Sequence, residues 1–356
     1  MGIIHSLFPP ILDPKFGEAL DYLYPGSVKK NIQTPSGYSI TLKGMFLTSL
    51  NLKSSYIESI EGVQSFKLLK YLDVRFNNLY TLPENLPNSI EYLDCGENNI
   101  SYLPNKLPRQ LQVLTCWSNN LTKLPKKLPR NLKTLECTSN KIKRLPNDLP
   151  SKLANLDCSH NKLKLLPEIL PSHLSHLQCS HNKLSRLPYK MPKTLTLLNC
   201  NDNNLGTFKY KLPYGLMMLD ISNNNLDSLE TNLPDTLGRL TMRHNNFDKL
   251  PSRLPKSIRI LDCQYNKMTE INCINVINLQ RLFCHNNNLQ EIKYIPNSLF
   301  LLYCWNNPNL KDLELTNNNI TVGCDNDLAM TLKNKYPTFN NISSPDSYSR
   351  QWSERY

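Results

Sequence analysis

The chain lacks the marks of a membrane protein, an exported protein or an enzyme. No apolar run in its 356 residues approaches the roughly 20 residues that cross a bilayer. Met1 to Pro10 carries no basic n-region and reaches Pro9-Pro10 before an apolar core can form, so no signal peptide is expected and an intracellular location is. There is no phosphate-binding glycine loop, no nucleophile beside a base and no acid/base pair, so no catalytic residue, cofactor or metal is assigned. Nor is this a disordered chain, because 40% of it is apolar, only 20% is charged and mean hydropathy is −0.43.

What is present is periodicity. Nine of the 11 cysteines fall on one register: Cys95, Cys116, Cys137, Cys158, Cys179, Cys200, Cys263, Cys284 and Cys304, the first six each 21 residues apart. A fixed period of this size signals stacked repeats. Units open at Leu47, Leu69, Ile90, Leu111, Leu132, Leu153, Leu174, Leu195, Leu216, Leu237, Ile258, Leu279 and Leu299, and most follow LxxLxCxxNxLxxLPxxLPxx.

Each recurring position has a physical task. Positions 4 and 6 alternate with polar neighbours, so they form the inward face of a short strand. Position 9 is Asn77, Asn98, Asn119, Asn140, Asn161, Asn182, Asn203, Asn224, Asn245, Asn266, Asn287 and Asn307, a column of carboxamides suited to satisfying the backbone of stacked turns. The Leu-Pro-x-x-Leu-Pro segment reads as an extended, polyproline-like return, since proline fixes φ and removes a donor. Two returns, after Ile57 and after Met268, lack these pairs and are expected to be turn-like or 3₁₀. Position 6 also carries Leu52, Val74, Ile221 and Met242, so its cysteines are read as small core side chains in a reducing compartment. Cys273 and Cys324 lie off the register.

Residues 47 to 309 resemble leucine-rich repeat proteins, and the short Leu-Pro-x-x-Leu-Pro units resemble the class found in bacterial type III secreted effectors. The position-6 cysteine, the abundant asparagine and the opening ITLKGMFLTSLNLKSSYIESIEG are similar to leucine-rich repeat proteins of giant DNA viruses. The resemblance implies an α/β-class repeat solenoid: a curved leucine-rich repeat with a parallel concave sheet, an extended convex side and short helical or irregular caps. Some bacterial effectors of this class add a C-terminal ubiquitin ligase domain; with about fifty residues after the last regular unit, none is expected here.

The organisation expected is an N-terminal cap over 1–46, thirteen repeats over 47–309, a degenerate closing repeat and C-terminal cap over 310–336, and a flexible tail over 337–356. In the first cap, Asp13 to Tyr24 is predicted helical, with Pro25-Gly26 as its stop. The closing repeat is read from Leu310, Leu313, Leu315, Asn318 and Ile320, and a final helix from Asp325 to Lys335.

Function is expected where packing does not dictate the residue, at positions 3, 5, 7 and 8 of the sheet face. There lie Tyr71, Phe76, Tyr92 and Trp117 toward one end, and Tyr265, Phe283, Tyr303 and Trp305 toward the other. Between them are Glu136, Asp157, His160, His176 and His181, with Arg239 and Arg243 further along. Exposed aromatics of this kind anchor protein interfaces, so a protein partner is assigned to this face. His160 and His181 occupy the same position in consecutive units; they are read as solvated imidazoles of the binding face, not as metal ligands. The face carries five bases against eight acids although the whole chain is +12. The surplus sits on the convex side and rims, among them Lys106, Arg109, Lys123, Lys126, Lys127, Arg130, Lys133, Lys143 and Arg144. Nucleic-acid or anionic-surface binding there is the alternative reading. Four sequons, at Asn99, Asn120, Asn319 and Asn341, are discounted in so asparagine-rich a chain.

Overall fold

A computed structural model describes residues 13–30 and 38–344, and the chain divides between Asn182 and Lys183 into two compact units. The first begins with helix α1 (Pro14–Leu23), the antiparallel pair β1 (Val28–Lys30) and β2 (Tyr38–Ile40), and the short helix α2 (Leu42–Met45). Asp13 caps α1 by accepting from the Phe16 N–H at 3.1 Å, and Pro14 occupies the first turn, where its missing donor costs nothing. The apolar stripe of α1 buries Phe16 and Leu20 completely, and the Phe16 ring lies 6.5 Å from that of Phe66. The helix is tied to the return leg of the first repeat, with the Asp13 N–H donating to the Glu61 carbonyl at 3.2 Å and Lys15 paired with Glu58. The remainder of the expected cap, 1–12 and 31–37, lies outside the described residues.

Seven three-residue strands follow: β3 (Ser49–Asn51), β4 (Tyr71–Asp73), β5 (Tyr92–Asp94), β6 (Val113–Thr115), β7 (Thr134–Glu136), β8 (Asn155–Asp157) and β9 (His176–Gln178). Each pairs in parallel with the next, residue for residue at the repeat spacing. Their central leucines are buried, as are the position-6 residues after them. The proline-free return after Ile57 contains a 3₁₀ turn at Val63–Ser65.

The second unit repeats the plan with β10 (Leu197–Asn199), β11 (Met218–Asp220), β12 (Arg239–Thr241) and β13 (Ile260–Asp262). The return after Met268 has turns at 274–275 and 277–278, as expected, but no 3₁₀ helix, and it opens on a strand. It forms β14 (Glu270–Asn272), which pairs in parallel with β16 (Glu291–Lys293) as a small separate sheet. The main ladder continues from β13 through β15 (Arg281–Phe283), β17 (Leu301–Tyr303) and β18 (Thr321–Gly323). Helix α3 (Asn326–Lys335) buries Leu328, Ala329 and Leu332, and β19 (Ile342–Ser343) pairs in parallel with β18.

Two expectations at this end need correction. The closing repeat does not open at Leu310. Its strand is β18, aligned Leu302 to Val322, so Val322 takes position 4 and Cys324 position 6, and Cys324 belongs to the ladder after all. Leu310, Leu313, Leu315 and Ile320 are buried in the return leg that precedes it. A parallel strand can pair only after a full circuit, and eleven residues from Leu299 bring the chain only to the far side of the core. Nor is 337–344 a loose start to the tail, because Ile342 is buried against the ladder; residues from 345 onward lie outside the described ones.

The asparagine column joins each repeat to the one before. The Asn119 carboxamide donates to the carbonyls of Cys95 at 2.9 Å, Trp117 at 3.1 Å and Cys116 at 3.3 Å, and accepts from the Ile100 N–H at 2.9 Å. The same set recurs from Asn77 to Asn307, with small variations. Thus the polar groups of a tightly turning backbone are met inside the core. All eleven cysteines are buried, and none is joined in a disulfide. Several ladder thiols donate to the carbonyl of the following strand, as Cys158 does to Gln178 at 3.4 Å, a contact that valine or methionine cannot make.

Candidate functional site

One backbone feature sets the character of the sheet face. Every position-8 residue from Ser54 to Asn306 is left-handed, with φ between 47° and 56° in the series that includes Phe76, His160, His181, His244 and Tyr265. This turn sends the following asparagine into the core while the position-8 side chain stays at the surface. Asparagine, aspartate and histidine tolerate the conformation better than most residues; Phe76 and Tyr265 adopt it at a cost of roughly 1 kcal/mol each. Bulky rings are therefore held at the surface against backbone preference, in the manner of residues kept for function.

At the start of the first unit, Tyr71 and Tyr92 stack at 4.4 Å with their planes 9° apart. Beside them Asp73 and Asp94 are almost wholly buried, and Arg75 bridges them, at 2.7 Å from Asp73 and 3.1 Å from Asp94. The Tyr92 hydroxyl donates to Asp94 at 3.2 Å. The Asp73 hydrogen bond holds the Arg75 guanidinium even more firmly protonated than usual, and burial followed by the charge of Asp94 pushes the Tyr92 phenol up. Phe76, 43% exposed, meets the Trp117 ring edge-on at 5.6 Å. Lys53 stands 5.1 Å over the Phe76 ring. These aromatics are as much packed against one another as offered to solvent.

In the middle, His160 and His181 stack at 4.0 Å and are both exposed. His176 is exposed on β9, its Nδ1 2.9 Å from Ser175 Oγ. Glu136 and Asp157 face each other across β7 and β8, both half-buried. Among the described residues no three of His, Cys, Asp or Glu gather as metal ligands would.

The second unit holds a longer ring series. His244 stacks on Tyr265 at 4.1 Å, Tyr265 meets His285 at 5.7 Å, His285 stacks on Trp305 at 4.1 Å, Trp305 lies 4.9 Å from Tyr303, and Tyr303 5.5 Å from Phe283. Glycine at 323 makes room for it, since a Cβ there would come within 2.9 Å of the Tyr303 ring. Arg239 and Arg243 flank the series, half-buried. Sequence reasoning missed His244 and His285, although they stand at positions 8 and 7 of their units in the columns already singled out. Burial, and then His244, lowers the His285 pKa to about 4, so it is a neutral ring at pH 7; its Nδ1 has no partner among the described residues.

No family model and no curated protein matches this chain. Among solved structures, YopM from Yersinia enterocolitica WA-314 is 26% identical, covering 75% of this chain and 70% of that one at a TM-score of 0.61. YopM described as a leucine-rich effector protein from Yersinia pestis is 28% identical over 77% of this chain and 82% of its own, at a TM-score of 0.67. The functional domain of InlJ from Listeria monocytogenes, which includes a cysteine ladder, is 21% identical over 93% of this chain and 77% of that chain, at 0.57. Parallel three-residue strands recurring every 21 residues and likeness to these structures place the chain in the leucine-rich repeat fold, as a solenoid.

Proposed function

We propose that this protein is a non-catalytic scaffold that binds a partner protein on its open sheet face. The observation that carries the reading is the series of six touching rings from His244 to Phe283. Rigid aromatic area of this kind, held by neighbours and rimmed by arginines, loses little entropy on binding and commonly dominates interface energy. Likeness to a structure described as a leucine-rich effector supports a host-directed role, and with the viral resemblance of the sequence our reading is that the protein acts in the host cytoplasm. The test is affinity capture from host lysate with the native chain and with Tyr92→Ala, Trp117→Ala, Tyr303→Ala, Trp305→Ala combined. Loss of a specific protein by a folded variant supports the reading; unchanged capture removes it.

A second reading has its own observation. In the first unit, the segments leading into β5, β6 and β7 line a groove of about 1140 Å³. Lys67, Lys106, Arg109, Lys127 and Arg130 face it against the single acid Glu84. No aromatic side chain lines it, so any nucleic acid or anionic surface held there would be held by charge, without base stacking. Steep salt dependence of nucleic-acid retention, lost on Arg109→Gln with Arg130→Gln, is the result this reading requires.

A further inference from the structure

Position 5 places four side chains in one row on the face of the first unit. Asp94 aligns with Thr115, Thr115 with Glu136, and Glu136 with Asp157, on four consecutive parallel strands. At strand spacing of about 4.8 Å the row is continuous. Its ends are satisfied. Asp94 accepts from the Gly96 N–H at 3.0 Å and the Tyr92 hydroxyl and pairs with Arg75, while Asp157 accepts from the Ser159 N–H at 3.0 Å and from Gln178 at 3.4 Å.

The centre is not satisfied. Among the described residues the Glu136 carboxylate has no hydrogen bond and no ion pair, although it is half-buried. The Thr115 hydroxyl beside it is buried without a partner, in a residue only 7% exposed. Burial raises the Glu136 pKa, and the neighbouring charges of Asp157 and Asp94 add to that, which registers how poorly this carboxylate is solvated. The charge of Arg75 reaches Glu136 and opposes the rise, but that guanidinium is paired with Asp73 and Asp94. A desolvated carboxylate with a second carboxylate and a spare hydroxyl alongside, and no cation paired to it among the described residues, is half of an ion-binding arrangement.

We propose that Glu136, Thr115 and Asp157 seat an arginine side chain presented by a basic segment of the partner protein. This rests on the sheet face being the binding surface, and names what it recognises. The planar guanidinium offers five donors in a fixed fork, enough for two carboxylates and a hydroxyl across adjacent strands; the compact lysine ammonium spans them less well. Trp117 lies two residues beyond Thr115, just past the end of β6, with its ring over Gly96, and supplies an aromatic surface against which a guanidinium packs.

The test uses the full chain and a fluorescein-labelled peptide of alternating arginine and serine, with its lysine and citrulline counterparts, read by anisotropy at low and physiological salt. The whole chain is +12, so general electrostatics oppose a basic peptide and binding reports the local row. The arginine peptide binds, the citrulline peptide binds at least tenfold more weakly, and Glu136→Gln loses about tenfold, whereas Asp148→Asn on the return leg leaves affinity unchanged. Glu136→Gln is isosteric and removes an unpaired charge, so its urea midpoint stays level or rises. Equal affinity for the citrulline peptide, no loss in Glu136→Gln, or no binding at all overturns the assignment. If the aromatic variant loses its captured partner while Glu136→Gln is indifferent to the arginine peptide, the face remains the binding surface and only this seat is withdrawn.

Discussion

Trp117 occupies the space that any side chain at position 96 would need: a Cβ built on Gly96 falls 2.3 Å from the indole nitrogen. The ring lies along the sheet over the previous strand, with Phe76 against it. One glycine thus fixes how the first aromatic patch is presented.

Gly96→Ala therefore has to displace the indole. Overpacking of this kind costs about 1 to 3 kcal/mol, and the tryptophan moves toward solvent. The expected outcome is a lower urea midpoint with a red-shifted tryptophan emission; an unshifted spectrum at unchanged stability would show that the ring is not held there.

Among the described residues Arg75 alone bridges Asp73 and Asp94, two carboxylates that are 0% and 2% exposed. Removing one partner of a buried ionic group costs about 3 to 5 kcal/mol, because the other charges are left unmet. Arg75→Met should destabilise the first unit by that order, and Asp73→Asn with Asp94→Asn added should restore much of the loss. Failure of the triple variant to recover stability would mean that arginine packing, not charge, matters here.

Asn119 meets four backbone groups in two repeats. Asn119→Ala strands them inside the core at about 1 to 3 kcal/mol for each one left unpaired. Hydrogen exchange should report it locally, with the Ile100 amide losing protection more than amides several repeats away. Uniform loss along the chain would contradict a nearest-neighbour role.

His285 titrates at about 4 in the folded protein against an ordinary 6.5, because burial disfavours the cation. Between these values the unfolded chain binds more protons, so stability rises with pH across the window and is lost as pH falls from about 6.5 toward 4. The full effect is at most about 3 kcal/mol. Denaturation midpoints at pH 7 and pH 4.5 should differ less in His285→Phe than in the native chain; an equal difference assigns the pH dependence elsewhere.

The thiols should be inert while the chain is folded. Burial pushes Cys179, Cys273 and Cys324 up to about 12, and Cys95, Cys116, Cys137, Cys158, Cys263, Cys284 and Cys304 upward also, so thiolate is scarce at pH 8. Alkylation counted by mass spectrometry is expected to be negligible in buffer and to reach eleven sites in denaturant.

Strand positions were legible because a 21-residue period leaves no freedom in register: Leu93, Leu114 and Leu135 could only align. Legibility failed where the period broke. Leu310, Leu313 and Leu315 imitate a repeat opening, yet they line a return leg, and Cys324 looked stray only because that opening was misplaced. The candidate face was readable as columns, from Tyr71 to Trp305. Which members of a column touch, and that His244 and His285 complete the ring series, was not, since ring contacts depend on rotamers that spacing does not encode.

The sequence by itself determined the repeat, the inward leucines and cysteines, the asparagine column and the face on which variable residues stand, because each follows from local periodicity and the need to satisfy a turning backbone. Only the tertiary structure decided which polar groups on that face are met and which are not. Asp73 and Asp94 share Arg75, while the side chains of Glu136 and Thr115, at the same repeat position, have no partner among the described residues. That distinction arises between strands 21 residues apart, where side-chain reach and burial decide whether a charge is paired, and no repeat pattern records it.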